Sequence, residues 1–365
     1  MKNTTIHNKS KDLSLLLDIS LQMIEKTDLD SLLRLIMEEA TKTMNADRST
    51  LYLIDRERTE LVSFFAQTSE IREIRLPLGT GIAGFVACHG TTINIDDAYS
   101  NPLFNRETDT ITGYRTKSVL CVPMNIHNNE IIGVLQVLNK KNGVFSEYDE
   151  WLFKTYANYA ATAIENARLH GEHEKMFLSA IKALAAAIDR RDPITSGHSE
   201  RVANLSVEIG KAIGLSKNEL KILKYTAVLH DIEKIGIRDA ILLKPDRFTL
   251  EEKLEMNKHA QYTEEILKEI YFTGEFRNIP EIAAAHHERP DGTGYPGNLK
   301  LDQLDIKSRI IAVADIFDAL TACDRPYKKS FSQEEALDIL RAEAEQNHLD
   351  SSLVNILTER LKSPE

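Results

Sequence analysis

The sequence predicts two folded regions: an α+β domain, an antiparallel sheet with flanking helices, joined by a long helix to an all-α helical bundle. Three observations carry this expectation. Apolar spacing changes from helical to strand-like at Ser49 and returns to helical from Ser146; no proline interrupts the pattern from Ser146 to Arg190; and beyond residue 175 nearly every segment repeats its apolar residues at three- and four-residue steps. A chain of 365 residues also suits two domains, at ~100–200 residues each. The expected boundaries are 12–166 for the first domain, 167–189 for the connecting helix and 176–365 for the second domain, which takes in the helix end.

Composition narrows the function classes. With 28% charged and 42% hydrophobic residues this is an ordinary globular chain, and its net charge of -11 argues against a nucleic-acid polymer or an anionic membrane as partner. Cys88, Cys121 and Cys323 are far apart, which suits a reducing compartment and offers no disulfide framework or zinc spacing. Met1 to Lys11 has no apolar signal core, and no apolar run reaches the ~18 residues of a membrane span, so a cytoplasmic location is expected.

Residues 12 to 45 read as helix, through Leu13, Leu16, Leu17, Met23 and Ile24, then Leu32, Leu35, Ile36 and Ala40. Ser49 to Ile54 and Glu60 to Phe65 form a hairpin. Gly79-Thr80-Gly81 precedes a helical stretch, Ile82 to Ala87, and Ile93 to Ile95 is a short strand. Val119 to Val122 and Ile131 to Leu138 make a second hairpin around Asn128-Asn129, with Pro123 closing its first strand.

The helix from Ser146 to Arg190 is about 65 Å long at ~1.5 Å rise per residue. Leu152, Tyr156, Tyr159, Ala163, Asn166, His170, His173 and Phe177 fall on a heptad seam with a polar middle. Two readings fit: a parallel homodimer whose register Asn166 fixes, or a short solvated linker with apolar ends. His170 and His173 read as exposed linker residues and not metal ligands, since no carboxylate or further His accompanies them at ligand spacing.

In the second domain His230-Asp231 ends an apolar helix, Leu220 to His230. A buried Asp there demands a partner, and a cation is the cheapest account. An adjacent His and Asp offer a metal one nitrogen and one carboxylate oxygen, and the chain adds His198, His259, His286-His287 and Asp315. His198 follows an irregular segment ending in Gly197, and Asp315 lies within an apolar helical face. Histidines and carboxylates from several helices of a bundle can meet at one metal site, which points to a hydrolytic metal enzyme.

Residues 15 to 168 resemble a GAF domain. The carriers are Gly79-Thr80-Gly81-Ile82-Ala83-Gly84, the stretch from Asp97-Ala98-Tyr99 to Phe104-Asn105, Thr112-Gly113-Tyr114-Arg115-Thr116, and Asn139-Lys140 with Phe145 and Asp149-Glu150. The last motif is similar to that of GAF domains that bind cyclic nucleotides, and implies a structural ion pair between Lys140 and Asp149. Ligand-contacting positions that carry over are Ser49, Ala83, Asp109, Thr112 and Thr116, with Gln136 where some cyclic-nucleotide binders have Glu. The alternative is that the Thr and Asp residues only cap and turn the backbone.

Residues 176 to 345 resemble the HD-GYP family of cyclic di-GMP phosphodiesterases. The carriers are Gly197-His198-Ser199-Glu200-Arg201-Val202, His230-Asp231-Ile232-Glu233-Lys234-Ile235-Gly236-Ile237, Leu242-Leu243-Lys244-Pro245, His286-His287-Glu288-Arg289-Pro290-Asp291-Gly292-Thr293-Gly294-Tyr295-Pro296, Asp315-Ile316-Phe317-Asp318-Ala319-Leu320 and Arg325-Pro326-Tyr327-Lys328. The resemblance implies a binuclear centre of two divalent ions, Fe or Mn. His198, His230, Asp231 and Asp315 would hold one ion, and a shared Asp231 with His259, His286 and His287 the other. It further implies that Lys234 meets a phosphate oxygen, that Arg325 and Lys328 hold the second phosphate or a guanine edge, and that Tyr295 meets a base.

Some members take a third metal through a Glu where this chain has Ile194, so two are expected here. Glu233, Asn298 and Leu301 replace residues that are usually Gly, and an extra residue lies within Ala322-Cys323. Glu233 is expected to turn outward to solvent. The function implied is hydrolysis of cyclic di-GMP to linear pGpG and on to GMP, regulated by the GAF domain. Cyclic GMP-AMP as substrate and a non-catalytic cyclic-dinucleotide sensor are the alternatives.

Overall fold

The computed structural model describes residues 14–26, 28–65, 74–106, 109–110, 113–191, 197–242, 244, 248–257, 259–322 and 330–362. They form two compact units, one up to Glu174 and one from Lys175.

The first unit contains helices α1 (14–24), α2 (Leu29–Thr43) and α3 (Gly81–His89), strands β1 (Ala46–Asp55), β2 (Glu60–Phe65), β3 (Ile74–Pro77), β4 (Ile93–Ile95), β5 (Val119–Asn125) and β6 (Ile131–Lys140), and the start of α4 (Glu147–Arg191). Asp28 caps α2 by accepting the Ser31 amide at 3.0 Å. The sheet runs β3-β2-β1-β6-β5-β4, each neighbouring pair antiparallel.

Alternation along β5 splits the core into two faces. Leu120, Val122 and Met124 join an apolar cluster with α1, α2 and the start of α4, while Val119 and Cys121 join a second cluster with Ile82, Ala83 and Val86 of α3. Both expected hairpins form, and Asn129 takes the left-handed conformation, φ +58°, at the turn of the second. The short edge strand β3 has no counterpart in the sequence reading. Pro123 does not close β5: it pairs with Val134 inside the strand. β4 covers β5 only from Val119 to Cys121, so the missing N–H falls beyond the end of that neighbour, where proline is tolerated.

Helix α4 runs for 45 residues. Leu152, Tyr156 and Ala163 are buried in the first unit's core and Phe177 packs on the second unit's, whereas Tyr159, Asn166, His170 and His173 are exposed. The apolar ends of the seam are therefore used inside each unit and its middle is solvated. The ion pair at the start of α4 is formed: Lys140 Nζ lies 2.7 Å from Asp149 Oδ1.

The second unit packs the end of α4 with α5 (His198–Ala212), α6 (Lys217–Leu229), α7 (Asp239–Leu242), α8 (Leu250–Asn257), α9 (His259–Lys268), α10 (Ile279–Ala284), α11 (Ile306–Thr321), α12 (Gln333–Glu345) and α13 (Ser351–Lys362). Capping boxes, Ser216 with Glu219 and Ser332 with Glu335, start α6 and α12. Its core draws on Ile181 and Ile188 of α4, Val202 and Ile209 of α5, Leu223 of α6 and Ile310 to Ala314 of α11.

Candidate metal centre

Each site residue sits where a helix starts, stops or buries a face. Gly197 adopts φ +72° and lets α5 begin at His198. Helix α6 stops at Leu229, making His230 its C-cap, and a 3₁₀ turn, Ile232–Gly236, follows Asp231. Helix α10, with Pro280 in its first turn, passes into a 3₁₀ turn over Ala285–His287. Asp315 comes from the interior of α11.

These ends converge. Three groups of nitrogen and carboxylate oxygen atoms lie within 4.8 Å of one another: His198, His230 and Asp315; His230, Asp231 and His286; and His286, His287 and Asp315. Asp231 Oδ2 is 3.7 Å from His198 Nε2 and 3.4 Å from His230 Nε2, while its Oδ1 is 3.9 Å from His286 Nε2. Asp315 Oδ1 is 3.2 Å from His198 Nε2 and 3.9 Å from His230 Nε2. Asp315 thus belongs to two of the groups, where the resemblance gave it one metal.

The imidazoles are aimed from behind. His230 Nδ1 donates to the Ala227 carbonyl at 2.7 Å and His286 Nδ1 to the Ala283 carbonyl at 2.6 Å, which turns the Nε2 of each ring toward the carboxylates. His230 is fully buried and its Nε2 makes no hydrogen bond among the described residues. His198 Nδ1 meets Asp318 Oδ2 at 2.8 Å, and Asp318 also accepts from Arg201 Nε at 2.7 Å and Nη2 at 3.1 Å. A buried acceptor nitrogen facing two carboxylates fits a bound cation.

The charges agree. Burial would raise Asp231, but Lys234 and then His230 hold its carboxyl well below the usual range. Burial raises Asp315 as well, and the hydrogen bond from His198 together with the His198 and His230 charges outweighs it, so it too lies low. Burial lowers His198, yet Asp315 and Asp318 push it up to about 10: the carboxylates draw positive charge to this nitrogen. Lys234 Nζ lies 2.5 Å from Asp231 Oδ2 and its pKa is raised, since Asp231 overcomes the burial that lowers it.

The Tyr295 ring stands 4.9 Å from that of His287. Its loop is held by Glu288, which is buried and accepts the amides of Gly297 and, at 2.9 Å, Leu299. Gly294 is required here, because a Cβ would come within 2.3 Å of the Arg289 nitrogen. Asn298 keeps a conformation that glycine favours, φ +52°, and asparagine tolerates it.

Glu233 overturns its expected orientation: it is fully buried and hydrogen-bonded to Thr263. The 3₁₀ turn after Asp231 points it inward, and burial, then the Asp231 charge, raise its pKa well above the usual carboxylate range. The His259 side chain, Ile194, Cys323, Arg325 and Lys328 lie outside the described residues, as does Thr112 in the first unit.

In the first unit Asp109 Oδ2 accepts the Thr116 amide at 2.7 Å and Oδ1 the Thr116 hydroxyl at 2.8 Å, while the Tyr99 hydroxyl donates to Oδ2 at 3.1 Å. Tyr99 meets Phe104, which packs on the α3 cluster that holds Ala83. Ser49 does not join them: its hydroxyl donates to the Met37 carbonyl of α2 at 2.7 Å, on the other face of the sheet. The sequence reading missed Asp318, Glu288 and Thr263 as supporting residues. For Asp318 a signal existed, since it lies one helical turn from Asp315 on α11 just as Arg201 follows His198 on α5.

An α+β domain followed by a helical domain with a His/Asp cluster defines the class. The family models agree: residues 28–164 match the GAF domain and residues 182–353 the HD domain, so the chain carries a GAF domain and then an HD domain. Among similar proteins, 3'3'-cGAMP-specific phosphodiesterase 3 of Vibrio cholerae is 41% identical over 44% of this chain and 34% of its own. The 3'3'-cGAMP-specific phosphodiesterase 2 of the same organism is 35% identical over 59% of this chain and 40% of its own. The cyclic di-GMP phosphodiesterase response regulator RpfG of Xanthomonas campestris is 38% identical over 47% of this chain and 45% of its own. The chain thus spans between a third and a half of these relatives' length. Among the described residues no helix is long and apolar enough to cross a membrane.

Proposed function

We propose that this chain is a metal-dependent phosphodiesterase that hydrolyses cyclic di-GMP to linear pGpG and, by a second cleavage, to GMP. The observation that supports it most is Asp231, whose Oδ2 faces His198 and His230 while Oδ1 faces His286. That is the disposition a carboxylate needs to be shared by two ions. His198, His230, Asp231 and Asp315 would hold one divalent ion, and Asp231, His259, His286 and His287 the other, with Fe or Mn suited to this mixed set. When bound, such ions supply Lewis acidity and an activated water at neutral pH. The chain's own residues do the rest. Lys234 neutralises charge on a phosphate oxygen, Tyr295 stacks on a base beside His287, and Arg325 and Lys328 hold the second phosphate.

Cyclic GMP-AMP is the second reading of the substrate, favoured by the activity for which the two Vibrio cholerae relatives are named. The GAF domain regulates turnover, with a cyclic nucleotide as effector on the face that carries Ala83, Asp109 and Thr116. The working form is a cytoplasmic homodimer through the GAF domain and α4, on which Trp151, Tyr159, Leu169 and Met176 are exposed.

The test is metal analysis of anaerobically purified protein, with product chromatography on both cyclic dinucleotides, beside a His230→Ala/Asp231→Ala variant. Two metals, a linear product and an inert variant are expected. Equal activity in the variant would sink the metal mechanism, and an inert metal-loaded parent would favour the sensor reading.

A further inference from the structure

Glu233 and Thr263 are both fully buried and bonded to each other through Glu233 Oε2. Thr263 stands one turn after His259, the first residue of α9, and its hydroxyl also lies 3.2 Å from the main-chain oxygen of His230. One hydroxyl therefore touches two places on the segment that carries Asp231: the carbonyl just before it and the side chain two residues after it. Among the described residues the other carboxyl oxygen, Oε1, makes no hydrogen bond, and the Thr263 contact ties this side chain to a second helix. A carboxyl group buried with one oxygen unmatched is unfavourable by itself, and a residue of that kind stays put only when the surrounding structure fixes it.

We infer that Glu233 is a positioning residue: through Thr263 it fixes the first turns of α9 against the His230-Asp231 turn, and the affinity of the site for its metals depends on that clamp. The inference rests on the metal-dependent reading above. It assigns Glu233 no contact with metal or substrate, and it requires the shape and hydrogen bond of the side chain, which glutamine retains.

The experiment is Mn²⁺ binding to the full chain by equilibrium dialysis, with thermal unfolding of the metal-free protein recorded in parallel. The parent is compared with Glu233→Gln, Glu233→Gly, the near-isosteric Thr263→Val, and the Glu233→Gly/Thr263→Val pair. Glu233→Gln should bind like the parent. Glu233→Gly and Thr263→Val should each weaken one Mn²⁺ equivalent by ~10–100-fold, as loss of an outer support does. The pair should lose no more than either single change, because both break the same contact. Parent-like affinity in Thr263→Val, or losses that multiply in the pair, would overturn the inference and leave the metal reading standing. A parent that binds no Mn²⁺ would overturn both.

Discussion

Replacing Asp318 by Asn tests how far the centre depends on what stands behind it. The carboxylate accepts one bond from His198 Nδ1 at 2.8 Å and two from Arg201, and it is almost fully buried. Burial raises its pKa, but His198 and Arg201 hold it below the usual range, so it is the ionised form that binds them. Asparagine keeps the volume but offers a single acceptor oxygen, and its amide nitrogen then faces a donor. Losing one charge-assisted bond costs about 1.5–3 kcal/mol. At tenfold per ~1.4 kcal/mol this is roughly 10–100-fold in affinity. Calorimetric titration with Mn²⁺ at pH 7 should show that loss for the ion nearest His198, with the second equivalent little changed. Two equivalents bound with parent affinity would refute the claim that Asp318 aims His198.

Other outcomes follow from named contacts. Gly294→Ala forces a Cβ against the backbone of Glu288 and Arg289, so it should displace the Tyr295 loop and raise KM for the dinucleotide more than it changes metal content; an unchanged KM would count against a substrate role for that loop. Asp149→Asn removes the charge that pairs with Lys140 and one of the two oxygens that serve Lys140 and the Ser146 amide and hydroxyl, and should cost about 1–2 kcal/mol, seen as a lower midpoint of denaturant unfolding. Burial raises the Asp149 carboxyl, but Lys140 and Ser146 outweigh it, so its folded pKa lies below its unfolded one. The difference between parent and variant should therefore be complete above pH ~4 and fade as pH falls through the folded value; a gap that persists at lower pH would contradict this. Removing metal with a chelator should lower the melting temperature of the parent and leave that of His230→Ala/Asp231→Ala unmoved.

Periodicity made most of the fold legible, because burial is what periodicity reports. Ile93 to Ile95, both hairpins and the long helix lie where the pattern puts them. It failed where a neighbour decides: Pro123 sits inside a strand because β4 is short, and β3 pairs at an edge that four residues cannot announce. The heptad seam has the spacing of an intermolecular contact, yet spacing does not say whether Leu152 and Tyr156 face a partner or the chain's own core. At the site the residue types and helix ends revealed the cluster. Direction was beyond them: a 3₁₀ turn and a threonine from another helix bring Glu233 inside, and one sequence position gives no hint of that.

His230 and His286 are each aimed by a carbonyl three residues back in their own helix end. Their aim is set by local chain geometry, and folding brings these ring nitrogens together with Asp231 and Asp315 in one place, where Lys234 pairs with Asp231 and His198 with Asp315. A ligand that binds only the folded state stabilises it by RT ln(1 + [L]/Kd), about 4 kcal/mol at a thousandfold excess over Kd. On the metal-dependent reading, metal supply would then govern how long each copy lasts as well as whether it works: a copy made in metal shortage would unfold more often, meet proteases more often and be cleared first.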